Sequence, residues 1–379
     1  MKHLLFAFIS WFALDGMHAQ NWVPMAQGLL PSNRTVFAIS AVGDQVLWAT
    51  ASQNFNDEIP LTHQPYILRT SDGGLHWVAK PVEEAAGTIS FDIVALDSLT
   101  AVMTTQDYGN GTGRALYRTT DGGEVWERIL FDISGGVDLT RFSDGAHWLA
   151  HNRQSLSLSS DNGNIWQPDF LNGYTESEYQ ALYTGTNMSC SMGDTLWNGT
   201  SEGRVIRFTN FGDDYTFINT GLGDRYILSI AFTDHLNGLL IHEFNLNDVK
   251  IARSTDGGNT WIDLGTSPGA GTWNLTAIPG SPGAYAAING IFTPSNWKIA
   301  ISRDYGETWT TEGVNRPTNS ILFTSPTTGW AGAGLITFPN YPAIFKYVGE
   351  PLVGVNHPDE LIVEMNTSPN PVEEVLHVT

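Results

Sequence analysis

One short pattern returns along this chain at intervals that leave little freedom in how it can fold. It reads RTSDGGLHW at 69–77, RTTDGGEVW at 118–126, SSDNGNIW at 159–166, RSTDGGNTW at 253–261 and SRDYGETW at 302–309. The aspartates are Asp72, Asp121, Asp161, Asp256 and Asp304, and the closing tryptophans are Trp77, Trp126, Trp166, Trp261 and Trp309. A decayed copy, TNFGDDY (209–215), puts Asn210 in the aspartate's place and Tyr215 in the tryptophan's. Successive spacings are 49, 40, 49, 46 and 48 residues. A period in the forties with strand-like content points to a ring or stack of repeated sheets.

Each box follows a strand-like run: YILRT, ALYRT, SLSLS, RVIRF, VKIAR, KIAIS. Each period opens with two further strand candidates, such as TVFAIS (35–40) and QVLWAT (45–50) in the first. With the run that ends at the box tryptophan, every period holds four short strands, the unit of a propeller blade. Seven opening pairs are present, starting near residues 35, 89, 136, 179, 226, 273 and 320, against six boxes. The seventh period ends at AIFKYV (343–348) without a box. NWVPM (21–25) carries Trp22 in the manner of a fourth strand, so the mature N-terminus is expected to complete the last blade and leave no open sheet edge. The expected fold is all-β: a seven-bladed propeller over 20–349, of four-stranded antiparallel blades closed by the N-terminal strand.

The box chemistry suits a turn. The Ser/Thr hydroxyl and the Asp carboxylate can accept backbone N–H groups within it. A glycine supplies positive φ, and a tryptophan fills space between blades. Five equivalent hairpins cannot share one active site, so these aspartates read as structural. Of thirteen tryptophans, Trp22 and the boxes take six. Trp48, Trp148, Trp197 and Trp330 share one second-strand position by sequence spacing, Trp11 lies in the leader, and Trp273 and Trp297 fall outside the pattern.

Net charge is −21, with 18 Lys+Arg against 39 Asp+Glu. Binding to nucleic acid draws on basic side chains that this chain mostly lacks. Lys2, the apolar run LLFAFISWFAL (4–14) and a small-residue end at Ala19 form a secretory signal peptide over 1–19. Cys190 is the single cysteine, expected in a strand and inert, so no disulfide framework is available.

The S/T-x-D-x-G-x-x-W pattern resembles the Asp-box, or BNR, repeat of sialidases, xyloglucanases, sortilin-type receptors and photosystem II assembly factors. The resemblance covers 21–349 and implies the propeller fold; the repeat serves enzymes, receptors and assembly factors alike. TTGWAGAG (327–334) looks most like the assembly-factor branch, which is non-catalytic. Residues 350–367 read as a linker. SPNPVEEVLHV (368–378) resembles the opening of the C-terminal sorting domain of the type IX secretion system of Bacteroidota, through Pro369, Asn370, Pro371, Leu376 and Val378. That domain is longer than 368–379, so it reads as truncated. The resemblance implies export from a Gram-negative cell by type IX machinery, to the medium or the outer-membrane surface.

Boxes mark one face of such a ring. The opposite face carries the remaining loops, where ligand contacts are expected. Candidate ligand-binding residues there are Arg34, Arg225 and Arg316 before opening strands, Trp273 and Trp297 on blade 6, and His242 and Glu243 after the second strand of blade 5. The sialidase branch implies an arginine cluster for a carboxylate and a Tyr–Glu pair, for which Glu176, Glu178 and Tyr179 are the candidates; its Arg-Ile-Pro motif is absent. A glycosidase needs two carboxylates about 5–9 Å apart, and Asp92 and Asp138 could also supply them. The oxygen-rich loops NFNDE (54–58) and NLND (245–248) lack EF-hand spacing, and no dinucleotide, P-loop or metal-ligand motif appears, so no cofactor or metal is expected. The favoured reading is a monomeric, secreted, non-enzymatic scaffold for a glycan or protein ligand, the alternative a sialidase-like glycoside hydrolase.

Overall fold

The computed structural model describes residues 21–53, 63–107, 114–131, 138–151, 155–170, 172–175, 177–178, 189–243, 248–269, 272–289, 298–312, 317–336 and 340–355. Glu176, Tyr179, Trp297, Arg316, the signal peptide and the 368–379 tail lie outside them. The described strands form seven four-stranded antiparallel sheets arranged as the blades of a propeller. The inner strands, in blade order, are Arg34–Val42, Thr88–Ala95, Asp138–Arg141, Ser189–Met192, Tyr226–Phe232, Thr272–Ala277 and Thr318–Ser325. Strands here read as continuous apolar runs because neighbouring blades cover both faces: every residue of Gly238–Glu243 is buried.

The ring closes as expected. Trp22–Gln27 forms the outermost strand of blade 7, pairing antiparallel with Pro342–Tyr347 in the register Trp22↔Tyr347 and Met25↔Ile344. Trp22 is fully buried, edge-on to Tyr347 at 5.4 Å and Phe323 at 5.8 Å. Past blade 7, residues 350–355 lie as a strap across the box-turn side. Leu352 is fully buried, its N–H donates to the Pro326 carbonyl and its own carbonyl accepts from Ser281 Oγ at 2.6 Å.

The boxes are one turn built five times. In the first, Thr70 Oγ1 donates to Asp72 Oδ1 and accepts the Gly74 N–H, both at 2.9 Å. Asp72 Oδ1 accepts the His76 N–H at 2.9 Å, and Trp77 Nε1 donates to the Gly74 carbonyl at 3.0 Å. Thr119, Ser159, Ser254 and Ser302 repeat the hydroxyl's two bonds. The backbone N–H and side chain of His76 hold Asp72 down at about 2. Asp121, Asp161, Asp256 and Asp304 are likewise held low by backbone and hydroxyl donors, against burial that is the largest opposing influence at Asp256 and Asp304.

Two of the turn's positions have positive φ, and they differ in kind. Gly73 is replaced by Asn162, Phe211 and Tyr305 in other copies, all near φ +55 to +62. The next position is always glycine, because a Cβ there would meet the preceding blade: Gly123 would place one 2.9 Å from Ile67, and Gly258 would place one 3.0 Å from Trp197. Blade contact, rather than turn conformation alone, fixes that residue.

The tryptophan register is corrected at one place. Trp48, Trp197 and Trp330 pair with Arg69, Arg207 and Lys346, the residues one step before the box hydroxyl position or its equivalent. Trp148 instead pairs with Ser159, the hydroxyl residue itself. It is one residue out of register and faces the opposite side of its sheet. The preceding blade has Val102 opposite Arg118 where the others carry tryptophan. Trp148 fills that space from the other side and packs in one cluster with Val102 and Trp166.

A basic side chain from the third strand ties each of five blades to the next. Arg69 bonds the Ser98 carbonyl, and Arg118 Nη1 donates to the Asn162 carbonyl at 3.0 Å. Arg207 reaches Asn259 at 2.8 Å, Arg253 reaches Glu307 at 2.8 Å, and Lys346 Nζ donates to the Gly73 carbonyl at 2.7 Å. The two remaining seams have Leu158 and Ile301 at this position.

Candidate functional site

The inner strands surround an axial cavity of about 370 Å³. Five of them carry a β-bulge at the same step, leaving Phe37, Phe91, Leu228, Trp273 and Asn319 unpaired in the ladder. A bulge re-aims a side chain. Phe37, Leu228, Trp273 and Asn319 are buried, Phe37 lies 6.2 Å from Phe91, and Asn319 Nδ2 donates to the Phe37 carbonyl at 3.2 Å. None of the five lines the cavity, whose walls run from the level of Asp92, Asp138 and Ser189 to Arg141, Pro279 and Thr324 at the box-turn end. The space is a pit that extends to the box-turn end of the inner strands.

Its floor is acidic. Asp92 Oδ2 accepts the Leu139 N–H at 2.9 Å from the next blade, and Oδ1 accepts the Ile93 N–H at 2.7 Å. Ser189 Oγ, one blade further, donates to Asp138 Oδ2 at 3.0 Å and also contacts Thr140 Oγ1. Burial first, and the charge and hydrogen bond of Asp138 next, raise the Asp92 carboxyl well above the usual range. Asp92 and Asp138 thus act on each other directly, and the shift favours the neutral form of Asp92. Asp92 and Asp138, considered from sequence as a carboxylate pair, lie together on this floor. Ser40, Ser191, Thr276 and Thr324 add polar groups to walls that are otherwise Ile39, Val94, Ala231, Leu275 and Leu322. Cys190 also lines the wall; burial pushes its thiol up to about 11, and it accepts the Phe232 N–H, an inert role.

The other sequence candidates are not gathered at one place. Glu178 is fully buried against Arg204, whose Nε donates to it at 2.9 Å and whose guanidinium lies 4.4 Å over the Phe217 ring. Burial raises its carboxyl, but Arg204, Thr200 and the Thr175 N–H outweigh this and leave it low. Arg225 pairs with Asp248 at 2.8 Å, and Arg34, buried, lies 5.3 Å over the Tyr66 ring. These arginines sit on blades 5 and 1, and the third candidate, Arg316, lies outside the described residues.

His242 is fully buried, 3.8 Å from Asp263, and burial lowers its imidazole. Glu243 follows it on the same strand, so the two face opposite sides; burial raises the Glu243 carboxyl. Trp273 is a bulge residue packed in the core, without the open ring face that stacking on a sugar demands. Among the described residues no group of three or more His, Cys, Asp or Glu is placed to hold a metal.

The box-turn side around the pit is rich in carboxylates. Beyond the five box aspartates, Asp97, Asp144 and Asp234 each accept two backbone N–H groups in the hairpins between inner and second strands. Backbone donors depress Asp97, and the His147 side chain and backbone donors depress Asp144 against the larger counter-effect of burial. Sequence reasoning placed ligand contacts on the other side. It named two of the pit's residues, Asp92 and Asp138, but not the pit, because inner-strand residues look like any buried strand; the further signal present was the small polar residues Ser40, Ser189 and Ser191.

No protein-family model matches the chain. Among curated proteins, the photosystem II assembly lipoprotein Ycf48 of Synechococcus sp. (strain CC9902) is 29% identical over 126 residues, covering 26% of this chain and 36% of that protein. The match therefore spans about a third of that relative's length. Among solved structures, YCF48 bound to D1 peptide superposes with TM-score 0.60 at 17% identity, covering 87% of this chain and 97% of that one. The Niastella koreensis GH74 enzyme superposes with TM-score 0.57 at 13% identity, covering 85% of this chain and 54% of that one. At such identities the structural likenesses establish architecture alone: the chain is a seven-bladed β-propeller of the same fold as Ycf48 and the GH74 enzymes.

Proposed function

We propose that this protein is a non-enzymatic scaffold that binds a protein ligand, exported from a Gram-negative cell and acting as a monomer. The observation that carries the reading is the engagement of the candidate carboxylates. Glu178 is bound by Arg204, and Asp92 shares a hydrogen bond with Asp138 while tying blade 2 to blade 3. Neither is placed for acid–base work across a substrate. A protein ligand is favoured over a glycan because Trp273 is buried in the core instead of offered as a stacking platform. The solved YCF48 structure, which shares this ring, holds a peptide. Export is supported by the sequence of the 1–19 leader and by the Pro369–Asn370–Pro371 motif, which fits type IX sorting machinery as a partner.

The test pairs two measurements on the mature chain. Sialoside and xyloglucan substrates are expected to show no turnover, and a peptide array is expected to retain the protein on defined sequences. Turnover that is lost on Glu178→Gln would overturn the reading, and so would an array with no retention beside a glycan array with clear retention.

A further inference from the structure

We propose that the axial pit receives a lysine side chain from the protein partner, which docks on the box-turn side. This deepens the scaffold reading and rests on it.

The pit reaches the box-turn end of the inner strands, where Arg141, Pro279 and Thr324 line it. A volume of about 370 Å³ lies at the small end of the range for ligand sites, which is about 300–1,000 Å³. It suits a side chain better than a folded strand. The walls are aliphatic through Ile39, Val94, Ala231 and Leu322, matching a tetramethylene stem. The floor is the Asp92–Asp138 pair with Ser189 beside it, a compact set of acceptors for a point charge with three donors.

Arg141 is the one cation among the lining residues. Its Nε donates to the Gly145 carbonyl at 2.9 Å, and its guanidinium lies 5.8 Å over the Trp148 ring, which holds it against its own blade.

A second observation points the same way. The eight turn aspartates described above stand on the side that the pit reaches, while Arg118, Arg207 and Lys346 on that side are drawn into the seams between blades. A low-dielectric recess within an acidic surface focuses its field on cations. A basic partner is therefore attracted to this side over distance and held by one buried charge at its centre.

The experiment is calorimetric titration of the mature protein with acetyl-Gly-Lys-Gly-amide and acetyl-Gly-Leu-Gly-amide. The lysine peptide is expected to bind at least tenfold more tightly than the leucine peptide. Asp138→Asn is expected to weaken the lysine peptide at least tenfold, and Ala277→Phe, at the mouth, to block it while leaving the acid pair in place. The second variant keeps the test decisive if the first disturbs folding. Equal affinity for the two peptides overturns the proposal, as does lysine affinity unchanged by Ala277→Phe. Retention on the peptide array without lysine dependence would defeat the pit assignment and leave the scaffold reading standing. Lysine-peptide binding with no array retention would do the reverse.

Discussion

Lys346 Nζ donates to the Gly73 carbonyl at 2.7 Å and lies 4.9 Å over the Trp330 ring, so one side chain joins the last blade to the first. Blade 7 has no box of its own, yet it keeps the cation that the boxed blades use to grip their neighbours. A charged donor on a carbonyl contributes about 1.5–3 kcal/mol, and the ring contact adds about 0.5–1 kcal/mol at a partly exposed site. Lys346→Met should lower unfolding free energy by about 2 kcal/mol in urea titration. Lys346→Arg should recover most of it. A Met variant as stable as the parent would mean that the latch is incidental.

The N-terminal strand makes a stronger demand. Trp22 has no exposed surface and its ring meets both Tyr347 and Phe323. Trp22→Ala should cost about 3–5 kcal/mol, a value typical of a core position and foreign to a chain terminus. Hydrogen exchange should then accelerate first in Pro342–Tyr347, the strand it pairs with. Exchange that rises evenly over all seven blades would argue that the ring is held shut by other contacts.

The acid pair makes stability depend on pH in a stated direction. The Asp92 carboxyl is raised in the folded protein, by burial first and by Asp138 second. Its favourable contribution is complete below the unfolded value near 3.9 and is lost as pH rises through the folded value. The box aspartates act oppositely: their depressed values, about 2 at Asp72, give stability above about pH 4 that disappears in stronger acid. Denaturation midpoints for Asp92→Asn and the parent should therefore diverge as pH rises from 5 to 9, the variant gaining relative to the parent. Parallel profiles would show that Asp92 is charged throughout.

Glycine in the box offers a paired comparison. Gly123 and Gly87 have nearly the same φ, +86 and +83, but a Cβ on Gly123 would lie 2.9 Å from Ile67 and one on Gly87 would meet nothing within 4 Å. Gly87→Ala should cost about 1–2 kcal/mol, the strain of the left-handed conformation alone. Gly123→Ala should cost about 1–3 kcal/mol more, because the blade seam must also shift. Equal losses in chemical denaturation would refute the role assigned to the seam.

The blade count and the closing strand were legible in the sequence because they rest on period and on local turn chemistry, which a single chain displays. Trp22 could be placed because the seventh period lacks a fourth strand and NWVPM offers one with its tryptophan. What stayed hidden depends on contacts between blades. The five inner-strand bulges leave no mark in a run such as TVFAIS, and the residues they expel, Phe37 or Trp273, look like ordinary strand aromatics. The pit is lined from all seven inner strands, so its shape was equally out of sight, although Asp92 and Asp138 were named from sequence. Arg69, Arg118, Arg207 and Arg253 did carry a signal, a basic residue at one offset before four of the turns, but its meaning needs the neighbouring blade.

Trp148 shows the limit most clearly, and supplies a test. Spacing put it with Trp48, Trp197 and Trp330, yet it faces the other way because Val102 leaves the seam between blades 2 and 3 underfilled. Val102→Trp alone should overpack that seam and cost about 1–3 kcal/mol. Trp148→Leu alone should leave a cavity and cost about 3–5 kcal/mol. Together the two changes move the ring from one side of the seam to the other, so the double variant should be more stable than the sum predicts, by at least about 1 kcal/mol of coupling. A double-mutant cycle in urea reads this directly. Additive losses would mean that Val102 and Trp148 do not share the space, and that the shift in register has another cause.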